Sequence, residues 1–162
     1  MNKTNAMRRL EKEGIPFQAH EYSTDDGKID AVSVAEKIRL SADQCFKTLV
    51  TQAADHNYYV FVIPGPAELD LKKAARVTDR KSIRLIPLKE LLPLTGYVHG
   101  GCSPIGMKKE FPTFIDETAI LFDEIGVSGG QVGLNLTLNP ERLAGLIGAT
   151  FADLTAGTDN CG

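Results

Sequence analysis

The chain has 162 residues and a mass of 17.6 kDa, with 43% hydrophobic and 24% charged residues, a size and balance that give one domain burying roughly 70% of its unfolded surface without disulfides or metals. This composition excludes a disordered, collagen-like or coiled-coil chain. A net charge of −3 and a pI of about 5.6 exclude a protein that wraps a long nucleic acid by neutralising phosphates, so DNA is not an expected partner and any RNA contact must be local.

From the start of the chain, Thr4 or Asn5 can cap a helix carrying Met7 and Leu10 on one side, and Gly14 ends it before Ile15 and Pro16. Residues 17–22 alternate, with Phe17 and Ala19 on one face and Gln18, His20 and Tyr22 on the other, which predicts a strand followed by a polar loop over 23–28. Ser33 followed by Glu36 reads as a capping box opening a helix to about Leu40, with Val34 and Ile38 on one face. Two β-rich runs, 45–51 and 58–63, flank the turn-forming residues 54–57 and predict an antiparallel hairpin.

Asp70 is placed to cap a helix with Leu71, Ala74 and Ala75 inward. Residues 82–86 form a strand pattern, and Pro87 sits at a first helical position before Leu88, Leu91 and Leu92. Short strands are expected over 97–99, 113–115, 119–122, 125–127 and 134–138, and Asn139 caps a helix opened by Pro140 and closed by Gly148. Strands without regular βα alternation predict an α+β single domain, a curved, mixed, largely antiparallel sheet flanked by helices. The domain is expected to occupy residues 1–155, with the small, polar segment 156–162 as a flexible tail.

The longest apolar runs, such as 58–64, fall short of the ~20 residues that span a membrane. The first residues are polar, with no signal-peptide core, so a cytoplasmic protein without membrane contact is expected. Cys45, Cys102 and Cys161 form no C-x-x-C pair and no His stands at metal-ligand spacing, which predicts reduced thiols and no metal.

The most unusual segment is Gly100-Gly101-Cys102-Ser103-Pro104-Ile105-Gly106, where missing side chains let backbone amides approach a ligand or, equally, turn a hairpin. Such a loop can form an oxyanion nest. A second glycine turn, residues 128–133 with Gly129 and Gly130, reads as a tight hairpin or as the opposite wall of the same cleft. It is neither a dinucleotide fingerprint nor a P-loop.

Lys47 lies inside an apolar run, so its ammonium either guards an edge strand or points into a polar cleft. Cys102 stands near His99 in sequence, but nucleophile–base pairs are neighbours in space rather than in sequence. The basic groups Lys72, Lys73 and Arg76, then Arg80, Lys81 and Arg84, read as solvated faces, whereas Lys108 and Lys109 either touch phosphate or face water. No G-x-S-x-G elbow or H-E-x-x-H motif occurs, and His20, His56 and His99 are scattered. If the protein is an enzyme, positioning and backbone electrostatics must carry its chemistry.

Five segments, FKTLV (46–50), LDLKKAA (69–75), TGYVHGGCSPIGMKK (95–109), PTFID (112–116) and VSGGQVGL (127–134), together resemble the YbaK family. Its members are freestanding relatives of the editing domain inserted in bacterial prolyl-tRNA synthetase, and they deacylate mischarged tRNA. The VSGG turn followed by Gly133 and Leu134 resembles the branch that removes cysteine from tRNA(Pro), whereas the alanine-removing branch typically has a histidine there.

The resemblance implies Lys47 as the catalytic residue. It implies substrate binding by Tyr22, by Gly100, Gly101, Cys102, Ser103, Pro104 and Gly106 around the terminal adenosine and aminoacyl ester, and by Gly129, Gly130 and Asn135. Two departures stand out: Asn135 replaces a frequent aspartate, and Cys102 replaces an aliphatic residue, so a nucleophilic cysteine is foreign to the pattern. The implied chemistry uses no cofactor and no metal. The substrate's own thiol attacks its ester, making the enzyme an ester hydrolase, or a lyase if a cyclic thioester is released. The implied partners are the aminoacylated 3′ end of tRNA and prolyl-tRNA synthetase. Alternatives are a non-catalytic nucleotide or aminoacyl-ligand binding module, or a deacylase for another small amino acid.

Overall fold

In the computed structural model, which describes residues 3–156, the Thr4 hydroxyl accepts from the Met7 N–H at 3.2 Å and starts α1 (Asn5–Lys12). Ala6, Met7 and Leu10 form its buried face. Two sheets follow from the remaining strands. One is antiparallel, in the order β1-β7-β6, from β1 (Gln18–Glu21), β6 (Ile125–Ser128) and β7 (Leu134–Leu138). The other has the order β4-β2-β3-β5-β8, with β2 (Phe46–Ala53), β3 (Tyr58–Pro64), β4 (Ile83–Leu85), β5 (Thr113–Asp116) and β8 (Thr150–Ala152).

In the larger sheet β4, β2 and β3 pair antiparallel, while β3–β5 and β5–β8 are parallel. The expected mixed, largely antiparallel sheet is thus realised as two sheets, joined by a bridge between Cys45 and Gly126.

The main core lies between the sheets. Phe46, Val50, Val60 and Val62 meet Ile125, Val127, Leu134, Leu136 and Leu138, with Leu10, Ile105 and Leu143 closing the rim. The alternate residues of β3, Tyr59, Phe61 and Ile63, pack instead with Ala74 and Leu154 on the other face. Burial on both faces explains why β3 reads as one continuous apolar run.

α3 (Leu71–Thr78) begins at Asp70, whose carboxylate accepts from the Lys72 and Lys73 amides, and α5 (Pro140–Ile147) begins at Asn139 and ends at Gly148, both as expected. Among the described residues, no helix is long and apolar enough to cross a membrane.

Several local expectations are corrected. α2 (Ala31–Lys37) starts at Asp30, not Ser33: the Asp30 carboxylate accepts from the Ser33 N–H at 3.1 Å and the Ser33 hydroxyl at 2.7 Å, and a carboxylate outcompetes a serine cap. Residues 119–122 are not a strand. Asp116 accepts from the Thr118 N–H and hydroxyl and winds Glu117–Leu121 into a 3-10 turn. Residues 97–99 form no strand either.

Pro87 precedes a 3-10 turn, Leu88–Glu90, that leads into α4 (Leu91–Thr95). Leu71 stays 44% exposed at the start of α3 while Ala74 takes the core position. β8 was not anticipated; it forms by pairing parallel to β5, a long-range contact that local sequence does not encode. Of the expected tail only Ala156 is described, and its N–H donates to the Glu68 carbonyl at 3.0 Å. Residues 157–162, with Cys161, lie outside the described residues.

Candidate functional site

Where the sheets meet, a cavity of about 410 Å³ opens, within the range of small-ligand pockets. Its lining brings together Tyr22, Lys47, Gly100, Cys102 and Asn135 from the sequence-predicted set, and adds Asp30, Thr48, His99 and Ser128. Lys47 therefore belongs to the cleft. Its Nζ donates to the Gly65 carbonyl at 2.9 Å, and partial burial lowers its pKa while Glu68 and Asp30 oppose that shift.

Both thiols in the lining are buried. Burial pushes the Cys45 pKa up to about 11 and the Cys102 pKa up to about 12, the latter against a hydrogen bond from Thr95 that lowers it. They stay protonated near neutral pH, so neither is an activated nucleophile. His99 and Cys102 share the lining, yet no hydrogen bond joins them among the described residues.

The first glycine loop divides its labour. Gly100, at φ +84°, and Cys102 face the cavity, and their amides have no acceptor among the described residues. The Gly101 amide is spent on the Val98 carbonyl at 2.9 Å, and a Cβ there would lie 2.9 Å from the Val132 nitrogen, because the two glycine loops touch backbone to backbone. Ser103 is fully buried and its hydroxyl accepts from the Ile105 amide. Pro104 and Gly106 line a separate, shallow depression with Arg9 and Phe111.

Gly129 and Gly130 also stay out of the lining. The Gly129 amide closes the β6–β7 hairpin on the Leu134 carbonyl, its own carbonyl accepts from the Thr4 hydroxyl at 2.6 Å, and Gly130 lets the chain pass Tyr97 and Thr4. The hairpin presents Ser128 and Asn135 to the cavity instead. His20 sits on the sheet face with Nε2 3.0 Å from the Thr137 hydroxyl.

Two buried acceptors in this lining are unpartnered, Asn135 Oδ1 and Thr48 Oγ1. Asn135 Nδ2 lies 4.0 Å from Cys45 Sγ, and the residue is 5% exposed. Native interiors rarely leave such atoms unpaired, and Asn135 Oδ1 lies against Gly126, where an added Cβ would come within 2.7 Å of it. Sequence reading missed Thr48, although a signal was present: a polar residue on the core-facing alternation between Phe46 and Val50. No group of His, Cys, Asp and Glu suited to a metal occurs among the described residues.

The family model described as an aminoacyl-tRNA editing domain matches residues 27–146, the stretch that builds most of this cavity. The "Putative Cys-tRNA(Pro)/Cys-tRNA(Cys) deacylase EbsC" of Enterococcus faecalis is 43% identical, over 94% of this chain and 93% of its own. A "Proline--tRNA ligase" of Burkholderia orbicola is 22% identical over 81% of this chain and 23% of its own length. Among solved structures, "Crystal structure of a putative trans-editing enzyme for prolyl tRNA synthetase" superposes with a TM-score of 0.83 at 28% identity, covering 96% of this chain and 100% of that one. This chain belongs to the aminoacyl-tRNA editing domain family.

Proposed function

We propose that the protein is a trans-editing aminoacyl-tRNA deacylase that removes mischarged cysteine from tRNA(Pro), with the substrate's own thiol as the nucleophile. The observation that carries this reading is a cavity with a cation and unpaired hydrogen-bonding groups whose two thiols are held neutral by burial and so supply no thiolate.

In this mechanism the substrate thiol loses its proton and its sulfur bonds to the ester carbonyl carbon. The carbon–oxygen bond to the 3′-terminal ribose breaks, and the departing oxygen takes up a proton. The immediate product is a cyclic thioester, which water opens to free cysteine. The Gly100 and Cys102 amides stabilise the oxyanion, and Lys47 stabilises the charge that grows on the ribose oxygen. Intramolecular alignment reaches effective molarities of ~10⁵ to 10⁸ M in favourable cases, and a strained small ring gains much less.

An acidic protein that grips only the last nucleotide and its ester makes few phosphate contacts. It therefore draws affinity from association with prolyl-tRNA synthetase or with synthetase–tRNA complexes in the cytoplasm.

The test is deacylation of cysteinyl-tRNA(Pro) beside the same tRNA carrying serine, which exchanges sulfur for oxygen. Rapid loss of cysteine with serine retained is expected. Equal loss of both refutes thiol assistance, and loss of neither favours a non-catalytic binding module or another amino acid as substrate.

A further inference from the structure

β2 directs its backbone groups alternately to two sides. Odd-numbered residues face β3, as when the Ala53 N–H donates to the Asn57 carbonyl at 2.9 Å. Even-numbered residues face β4: the Ala54 N–H donates to the Ser82 carbonyl at 3.1 Å, and the Val50 carbonyl accepts from the Ile86 N–H at 3.2 Å. The β2–β4 register sets Thr51 opposite Leu85 and Ala53 opposite Ile83, so two residues beyond Ile86 it would bring Leu88 opposite Thr48.

That pairing is never made. Pro87 has no N–H and leaves the strand, and Leu88 begins a 3-10 turn. β4 therefore offers the N–H and C=O of Thr48 no partner, and β6 meets the same edge of β2 at the Cys45–Gly126 bridge, three residues before Thr48, beside the cavity that Thr48 itself lines. The same residue holds the unpartnered Oγ1, and Asn135 Oδ1 is unpartnered in the same lining. A strand edge without its partner at a concave site suits a ligand that carries both a donor and an acceptor.

The open edge also specifies the ligand's chemistry. In an antiparallel hydrogen-bonded pair, one residue exchanges both its N–H and its C=O with the single residue opposite. An aminoacyl ester has the polar layout of one such residue, an α-ammonium donor and a carbonyl acceptor on adjacent carbons. We propose that the aminoacyl group of the substrate docks as a one-residue strand on the open edge of β2, its α-ammonium donating to the Thr48 carbonyl and its ester carbonyl accepting from the Thr48 N–H.

This inference rests on the deacylase reading and adds to it. The Thr48 N–H joins the donors that polarise the ester, so the bond that recognises the amino acid also activates it. The edge selects L-amino acids as well, because strand pairing fixes the face that a side chain takes, and a D-residue would carry its thiol to the opposite one.

The test has two arms. In the first, amide hydrogen exchange is followed by NMR with and without 3′-deoxy-3′-(L-cysteinylamino)adenosine, a non-hydrolysable analogue of the aminoacyl terminus. The Thr48 amide is expected to exchange at least about tenfold more slowly in the complex. In the second, the full-length protein is given tRNA(Pro) esterified with 3-mercaptopropionate, which keeps the thiol and ester but lacks the ammonium. With each rate taken relative to the uncatalysed hydrolysis of the same ester, which removes the intrinsic activation by the ammonium, cleavage slowed by about tenfold or more, the effect of one lost charge-assisted hydrogen bond, is expected. Binding of the analogue with Thr48 exchange unchanged overturns the edge pairing, as does cleavage of the ammonium-free substrate at the cysteinyl rate on the same relative scale. Failure to cleave cysteinyl-tRNA(Pro) itself refutes the deacylase reading, and the edge pairing with it.

Discussion

Replacing Lys47 with methionine separates a catalytic cation from a structural clamp. The side chain is shortened by one atom and loses its charge and its donor to the Gly65 carbonyl at 2.9 Å. A hydrogen bond from a charged group contributes about 1.5–3 kcal/mol. Here burial opposes that gain, since desolvation is the largest influence on the Lys47 pKa and lowers it. The two effects largely cancel, so Lys47→Met is expected to change stability by no more than about 1 kcal/mol, a shift of about 2–4 °C in Tm for a chain of this size.

Activity responds differently. Removing one preorganised electrostatic contact to a developing oxyanion costs about 10²–10³ in rate, or about 2.7–4 kcal/mol. The assay is single-turnover deacylation of cysteinyl-tRNA(Pro) with enzyme in excess, run beside thermal unfolding of the same preparation. A rate within about threefold of the parent refutes the catalytic role. A Tm loss above about 10 °C makes Lys47 a clamp on the loop at Gly65 instead.

Four further outcomes are expected. Cys102→Ala retains deacylation, because a thiol with a pKa of about 12 is only about one part in 10⁴ ionised at pH 8; loss of activity without loss of fold would restore Cys102 as a nucleophile. Gly101→Ala destabilises by about 1–3 kcal/mol in chemical denaturation, since its Cβ meets the Val132 and Gln131 backbone, whereas Gly145→Ala in α5 meets nothing within 4 Å and stabilises by about 0.5–1 kcal/mol. Thr48→Val raises the stability of the free protein by about 1 kcal/mol, because the hydroxyl it removes is buried without a partner; a drop in stability would show that Oγ1 is satisfied. Capping hydrogen bonds from Ser33 and from Lys73 and Lys72 hold the Asp30 and Asp70 carboxyls below their ordinary pKa of 3.8. Their contribution is complete above about pH 4 and is lost as pH falls through the lowered values, so Asp30→Asn flattens the acid limb of a stability–pH curve.

What the sequence determined by itself was local. Thr4, Asp70, Asn139, Pro140 and Gly148 fixed three helices, because caps act over a few bonds. The alternating runs on either side of residues 54–57 fixed the β2–β3 hairpin, because its two strands are neighbours in the chain. Local signals failed where a competing polar group changed the outcome, as when Asp30 displaced Ser33 as a cap and Asp116 wound residues 117–121 into a turn.

Of the residues named for the site, tertiary structure alone decided which reach the cavity. Lys47, Tyr22 and Asn135 come from β2, the end of β1 and β7, strands of two different sheets, and they meet only because those sheets join at Cys45 and Gly126. Gly101 and Gly129 look like ligand-binding glycines in the sequence, but their small size is used where backbone meets the other glycine loop or the Leu134 side chain. The unpaired Thr48 could not be read from its own neighbourhood. Its edge lacks a β4 partner because β4, more than thirty residues further along the chain, stops pairing at Pro87; where a strand stops pairing is a property of the assembled sheet and of no segment within it.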